Sequence, residues 1–149
     1  MADKSKVGKE YPPIHWEVER GKIREFIRAI GDPNPIFTDK EAAVNEGYRD
    51  TPIPPTFMTV PMMFSNSMAG MINDLAINFF RILHGEEEYE YLRPIYPGDI
   101  LTGIPRVASI EEKTNKAGKK MDLINFDILY TNQHGETVVR ERFLLIERK

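Results

Sequence analysis

The sequence predicts an α+β fold in which an antiparallel β-sheet wraps around one long central helix, and three observations carry that prediction. Residues from about Met62 to Leu83 are apolar on most of a helical circumference, as a helix surrounded by protein must be. Everything after them reads as strands, with Ile124, Phe126, Ile128 and Tyr130 on one face at period two. Turn sequences, "KAGKK" at 116–120 and "NQHG" at 132–135, separate those strands. At 149 residues the chain has the length of one domain, expected over 1–149 with residues 1–10 as a flexible N-terminal tail.

The elements follow in order. "IHWEV" near the start is a short first strand. In "VERGKIREFIRAIG", Ile23, Phe26, Ile27 and Ile30 fall at i, i+3, i+4 and i+7, and Gly31 is a natural stop, which predicts an amphipathic helix. Thr38 and Glu41 have capping-box spacing, so "KEAAVNEG" is a second, shorter helix ending at Gly47. Pro52, Pro54, Pro55 and Pro61 then exclude both helix interior and central strand, leaving an irregular connection. After the central helix, "EEEYEYLR" places Tyr89 and Tyr91 in alternation with Glu86, Glu88 and Glu90. "GDILTGIPRVASIEE" is a long strand whose Pro105 marks an edge or a bulge, and "TVVRERFLLIER" closes the sheet.

Composition narrows the function classes. A formal charge of −3 and no basic stripe give no electrostatic footprint for nucleic acid. With no cysteines there is neither a disulfide nor a thiolate metal site, and His15, His84 and His134 are too scattered for an imidazole one. The amino terminus has charge without an apolar segment behind it, and "MAGMINDLAINFFRIL" carries Asn73, Asp74, Asn78 and Arg81, too polar and too short for a membrane span. The expected location is the cytoplasm.

Chemistry concentrates at "IGDPNPIFTDKEAA", residues 30–43. Asp-Pro-Asn-Pro is good turn chemistry by itself, since Asp32 and Asn34 bond neighbouring amides and Pro33 and Pro35 stiffen the loop. Turn formation is the leading reading of Asp32 and proton transfer the second. Five of the seven methionines lie between Met58 and Met71, either as core or as the lining of an adaptable cavity.

Together "AIGDPNPIFTDKEAA", "GYRDTPIPPTF", "HGEEEYEYLRPIYPGDIL" and the terminal hairpin resemble the hot-dog-fold dehydratases of the MaoC type, in particular the FAS1-like or MaoC amino-terminal domains. The resemblance spans Tyr11 to Arg148. It implies (R)-specific hydration of a trans-2-enoyl thioester, or dehydration of a (3R)-hydroxyacyl thioester, on coenzyme A or acyl carrier protein and with no metal or redox cofactor. The family's loop reads G-D-x-N-P-aliphatic-H. Gly31, Asp32, Asn34, Pro35 and Ile36 match it, but the histidine position is Phe37. Hydration needs a base for water, an acid for the α-carbon and donors for the thioester oxygen. Phenylalanine supplies none of these.

Several members of the family combine two unequal hot-dog units, one carrying Asp and His and one lining the acyl tunnel, and this chain resembles the second. The resemblance therefore implies a heteromeric partner with the intact loop, or otherwise a homodimer. Asp32 is the catalytic candidate. Asn34, Phe37, Pro55, Thr56, Phe57 and His84 are the substrate-binding candidates, with "RDTPIPPTF" as a channel wall and His84 as a stand-in base. Competing readings are a self-sufficient hydratase using Asp32, a non-catalytic acyl-thioester-binding protein, and a thioesterase on the same fold.

Overall fold

The alternation read in the C-terminal half produces the sheet. The computed structural model describes residues 2–148, so Met1 of the expected tail and Lys149 lie outside it. Strands β1 (Ile14–Glu17), β2 (Ile82–Tyr91), β3 (Ile100–Thr114), β4 (Lys120–Thr131) and β5 (Thr137–Arg148) form one antiparallel sheet in the order β1-β3-β4-β5-β2. Ile124, Phe126, Ile128 and Tyr130 all face inward, opposite Val139, Phe143 and Leu145 of β5. Phe126 and Phe143 are cross-strand partners whose rings stack at 4.6 Å. Gly103 is the cross-strand partner of Tyr130, and any Cβ there would collide with the Tyr130 ring. Pro105, expected at an edge or a bulge, stays in register with Ile128, and the bulge of β3 lies beyond it, between Val107 and Ser109.

Four helices pack on the sheet's inner side: α1 (Arg20–Ile30), α2 (Lys40–Asn45), α3 (Thr59–Phe64) and α4 (Ser67–Asp74). In α1, Ile23 and Ile27 are buried and Gly31 caps the helix at φ 69°, donating to the Ile27 carbonyl, while Ile30 at its end is exposed. The cap of α2 is Asp39, whose carboxylate accepts from the amides of Glu41 and Ala42, and not the expected Thr38.

The expected single helix over Met62–Leu83 is two short ones. Ser65, Asn66 and Ser67 interrupt it: Asn66 is left-handed at φ 57°, and the Ser65 hydroxyl both donates to the Met62 carbonyl and accepts from the Ser67 amide. A second left-handed residue, Ala76, follows α4. Asn78 then caps a single turn over Phe79–Arg81, and β2 begins at Ile82. No helix of the described residues is long and apolar enough to cross a membrane.

Residues 2–10, expected as a flexible tail, are instead tied down. Ala2 is buried with its amide on Asp122. Gly8 and Lys9 exchange backbone bonds with Val107, and Glu10 bridges Arg106. Lys6, Lys9 and the Tyr11 hydroxyl all converge on Asp74 at the end of α4, and these bonds hold its carboxyl down at about 2.

Candidate functional site

The loop after α1 is satisfied within itself. Asp32 is half-buried, and its Oδ1 accepts the Asn34 amide at 2.9 Å. Asn34 Oδ1 in turn accepts the Ile36 amide at 3.2 Å and caps the turn Pro35–Phe37. The side chain of Phe37, at the histidine position of the resemblance, is buried at 8% exposure.

Phe37 forms one wall of a cavity of about 450 Å³, completed by Ile36, Tyr48, Ile53, Pro55 and Tyr91 with the segment Leu92–Ile95. That volume is in the range of small-molecule sites, and its lining is mostly apolar. The Tyr91 hydroxyl donates to the Pro55 carbonyl at 2.7 Å, fixing the proline-rich connection against β2. Asn34 faces a different hollow, on the other side of Ile36, between the loop and α2.

The other candidates are only partly brought together. Pro55 is on the cavity wall. Thr56 is exposed, its carbonyl accepting from both the amide and the hydroxyl of Thr59. Phe57 belongs to the core and not to a binding surface: it is 0% exposed and meets Phe26 edge-on at 5.5 Å. His84 does not stand beside Asp32. It lies on β2 with its Nε2 3.1 Å from Glu87, and it lines a separate cavity of about 220 Å³ with Thr59, Met62, Met63, Met68, Glu87, Glu141 and Phe143. The methionines thus divide. Met58 and Met71 are core alone, while Met62, also buried, roofs this second cavity with Met63 and Met68.

Sequence reasoning missed the acids of that second cavity. Glu141 occupies the inward phase of β5, between Val139 and Phe143, and is 2% exposed with neither carboxyl oxygen hydrogen-bonded. Burial first, and then the charge of Glu87, push its carboxyl up to about 8. The Tyr130 hydroxyl is near enough to pull it partly back down, but falls short of hydrogen-bond geometry. Burial and the Glu87 charge both favour the protonated carboxyl.

Glu87 differs: it accepts the Tyr89 hydroxyl and faces His84, with its side chain 21% exposed. Both were legible by phase, since Glu87 shares the face of Tyr89 and Tyr91, and Glu141 that of Val139 and Phe143. The bulge between His84 and Glu86 turns His84 to the same side, which the sequence pattern does not reveal.

Comparison with known proteins places this geometry. The family described as "FAS1-like, dehydratase domain region" matches residues 5–141. A UPF0336 protein of Streptomyces avermitilis is 42% identical over 147 residues, 98% of this chain and 95% of that protein. Among solved structures, the C-terminally truncated HadBC (3R-hydroxyacyl-ACP dehydratase) complex of Mycobacterium tuberculosis superposes with a TM-score of 0.80 at 25% identity, covering 95% of this chain and 96% of the matched one. A MaoC-like dehydratase superposes with a TM-score of 0.82 at 31% identity, over 97% of this chain but 42% of its own. The curled sheet with helices on its inner side is the hot-dog fold of these proteins.

Proposed function

The chain belongs to the FAS1-like dehydratase family, and on that premise we propose that it is the acyl-binding subunit of a (3R)-hydroxyacyl-thioester dehydratase or (R)-specific enoyl-CoA hydratase. In this reading a second hot-dog subunit carries the intact Asp and His loop. The substrate arrives on coenzyme A or acyl carrier protein in the cytoplasm, and the reaction calls for no metal or redox cofactor.

The observation that carries the reading is the state of the 31–37 loop. A water-adding site needs a free acid–base pair, worth roughly 10²- to 10⁴-fold in rate. Here the histidine position is a buried phenylalanine, and one oxygen of Asp32 is already engaged by the Asn34 amide. What remains is a binding surface: Phe37 gives the 450 Å³ cavity an apolar wall where a catalytic loop would present an imidazole. HadBC, a 3R-hydroxyacyl-ACP dehydratase described as a complex, supports the pairing with a second subunit.

Hydration of a trans-2-enoyl-CoA tests it. The purified chain alone is expected to give no turnover, and activity is expected on mixing with a subunit that carries the complete loop. Turnover by the chain alone that disappears in Asp32→Asn would replace this reading with a self-sufficient hydratase.

A further inference from the structure

The second cavity holds two acids in opposite states. Glu87 on β2 is spent, one oxygen on the Tyr89 hydroxyl and the other facing His84 Nε2 at 3.1 Å. Glu141 on β5, the cross-strand partner of Tyr89, has both oxygens buried and unpartnered. Tyr130, inward-facing on β4, brings its hydroxyl to the same neighbourhood, also buried and unpartnered. The opposite wall is apolar and adaptable: Met62 and Met63 of α3 and Met68 of α4, with Phe143 beside Glu141.

Buried polar groups in native proteins are almost always hydrogen-bonded, so an acid that lines a cavity without a partner marks where a ligand group belongs. At about 220 Å³ the space is far larger than one water needs and suits a segment of a chain. A protonated carboxyl offers one O–H donor and one carbonyl acceptor, which a ligand hydroxyl can satisfy together. A plain alkyl chain would fill the methionine side and leave the carboxyl unmet. A cationic end would find Glu87 already engaged and Glu141 uncharged.

We propose that this cavity is a specificity pocket for a chain bearing a hydroxyl or carbonyl oxygen, bound through the carboxyl of Glu141 and packed against Met62, Met63 and Met68. The inference rests on the acyl-binding reading and deepens it: the substrate class is an oxygenated acyl chain, not a simple alkyl one. Sites built to hydrogen-bond a ligand reject the analogue lacking the group far more strongly than apolar pockets reject a size change.

The test uses protein labelled at its methionine methyls and titrated with hexan-1-ol, hexan-2-one and 1-chlorohexane, followed by the signals of Met62, Met63 and Met68. Hexan-1-ol or hexan-2-one is expected to saturate those shifts at a concentration at least about tenfold below that needed by 1-chlorohexane. The preference should vanish in Glu141→Leu and survive in part in Glu141→Gln, which keeps a donor and an acceptor. Equal response to all three probes, or a preference that persists in Glu141→Leu, overturns the proposal and leaves an apolar cavity in which the carboxyl selects nothing. A parallel titration with octanoyl-CoA reads the acyl-binding function separately: its failure beside an intact alcohol preference sinks the subunit reading and not the pocket.

Discussion

The Asp32 loop and the Glu141 cavity are opposites. The loop has the residues of an active site and the bonding of a turn: its acid and its amide each accept a local backbone N–H, and its key position is a buried phenylalanine. The cavity has the residues of a strand and the bonding of a site, with a buried acid and a buried phenol that lie close to each other without making a hydrogen bond. Residue type alone misleads in both places. What separates them is whether hydrogen-bonding capacity is spent inside the protein or left over for something else.

The comparison is sharpened most by a residue that belongs to neither region. Phe57 was the expected channel wall, yet it is fully buried against Phe26 beneath the proline-rich connection. Phe57→Ala is expected to cost about 3–5 kcal/mol in chemical denaturation, the range for a buried phenylalanine. Acyl-CoA affinity of the fraction that remains folded should change little. A loss of affinity at unchanged stability would return Phe57 to the site.

Next in size is the pH dependence set by Glu141. Its folded-state pKa, about 8, lies above the ordinary value of 4.5, so the folded protein binds a proton that the unfolded chain gives up. The resulting stability is fully present below about pH 4.5 and is lost as pH rises through 8. In Glu141→Gln this dependence is absent. Relative to that variant, the native protein is expected to lose up to about 1.4 kcal/mol per pH unit across the window. Parallel stability curves from pH 5 to 8 would mean that Glu141 is already partnered and would erase the contrast with the loop.

How much of this was legible depends on range. Period-two alternation identified β4 and β5, and Gly31 marked the end of α1, because both signals are local. The break at Ser65–Ser67 was also local, three polar residues that compete for backbone bonds, but the apolar surroundings masked it. The anchoring of residues 2–10 was not legible, because its partners Asp74, Val107 and Asp122 lie far along the chain. At the sites, the loss of histidine at Phe37 was readable from one position. The orphaned state of Glu141 was not, since it depends on Tyr89, Tyr130 and the methionine roof arriving from four other elements, β2, β4, α3 and α4.

The smallest expected effect discriminates best between the two readings of Asp32. As a turn residue, Asp32 contributes one side-chain bond to the Asn34 amide, so Asp32→Ala should cost about 0.5–1.5 kcal/mol of stability. Asparagine makes the same bond to the amide two residues on, so Asp32→Asn should restore most of that loss. A proton-transfer role removes the rescue from the activity readout, because an amide can hold the turn but cannot cycle a proton, and Asp32→Asn would then be as inactive as Asp32→Ala in the assembled enzyme. Measuring stability and turnover on the same two variants separates geometry from chemistry. Rescue by asparagine in both readouts leaves Asp32 as the stiffener of a loop whose acid–base work is done by the partner.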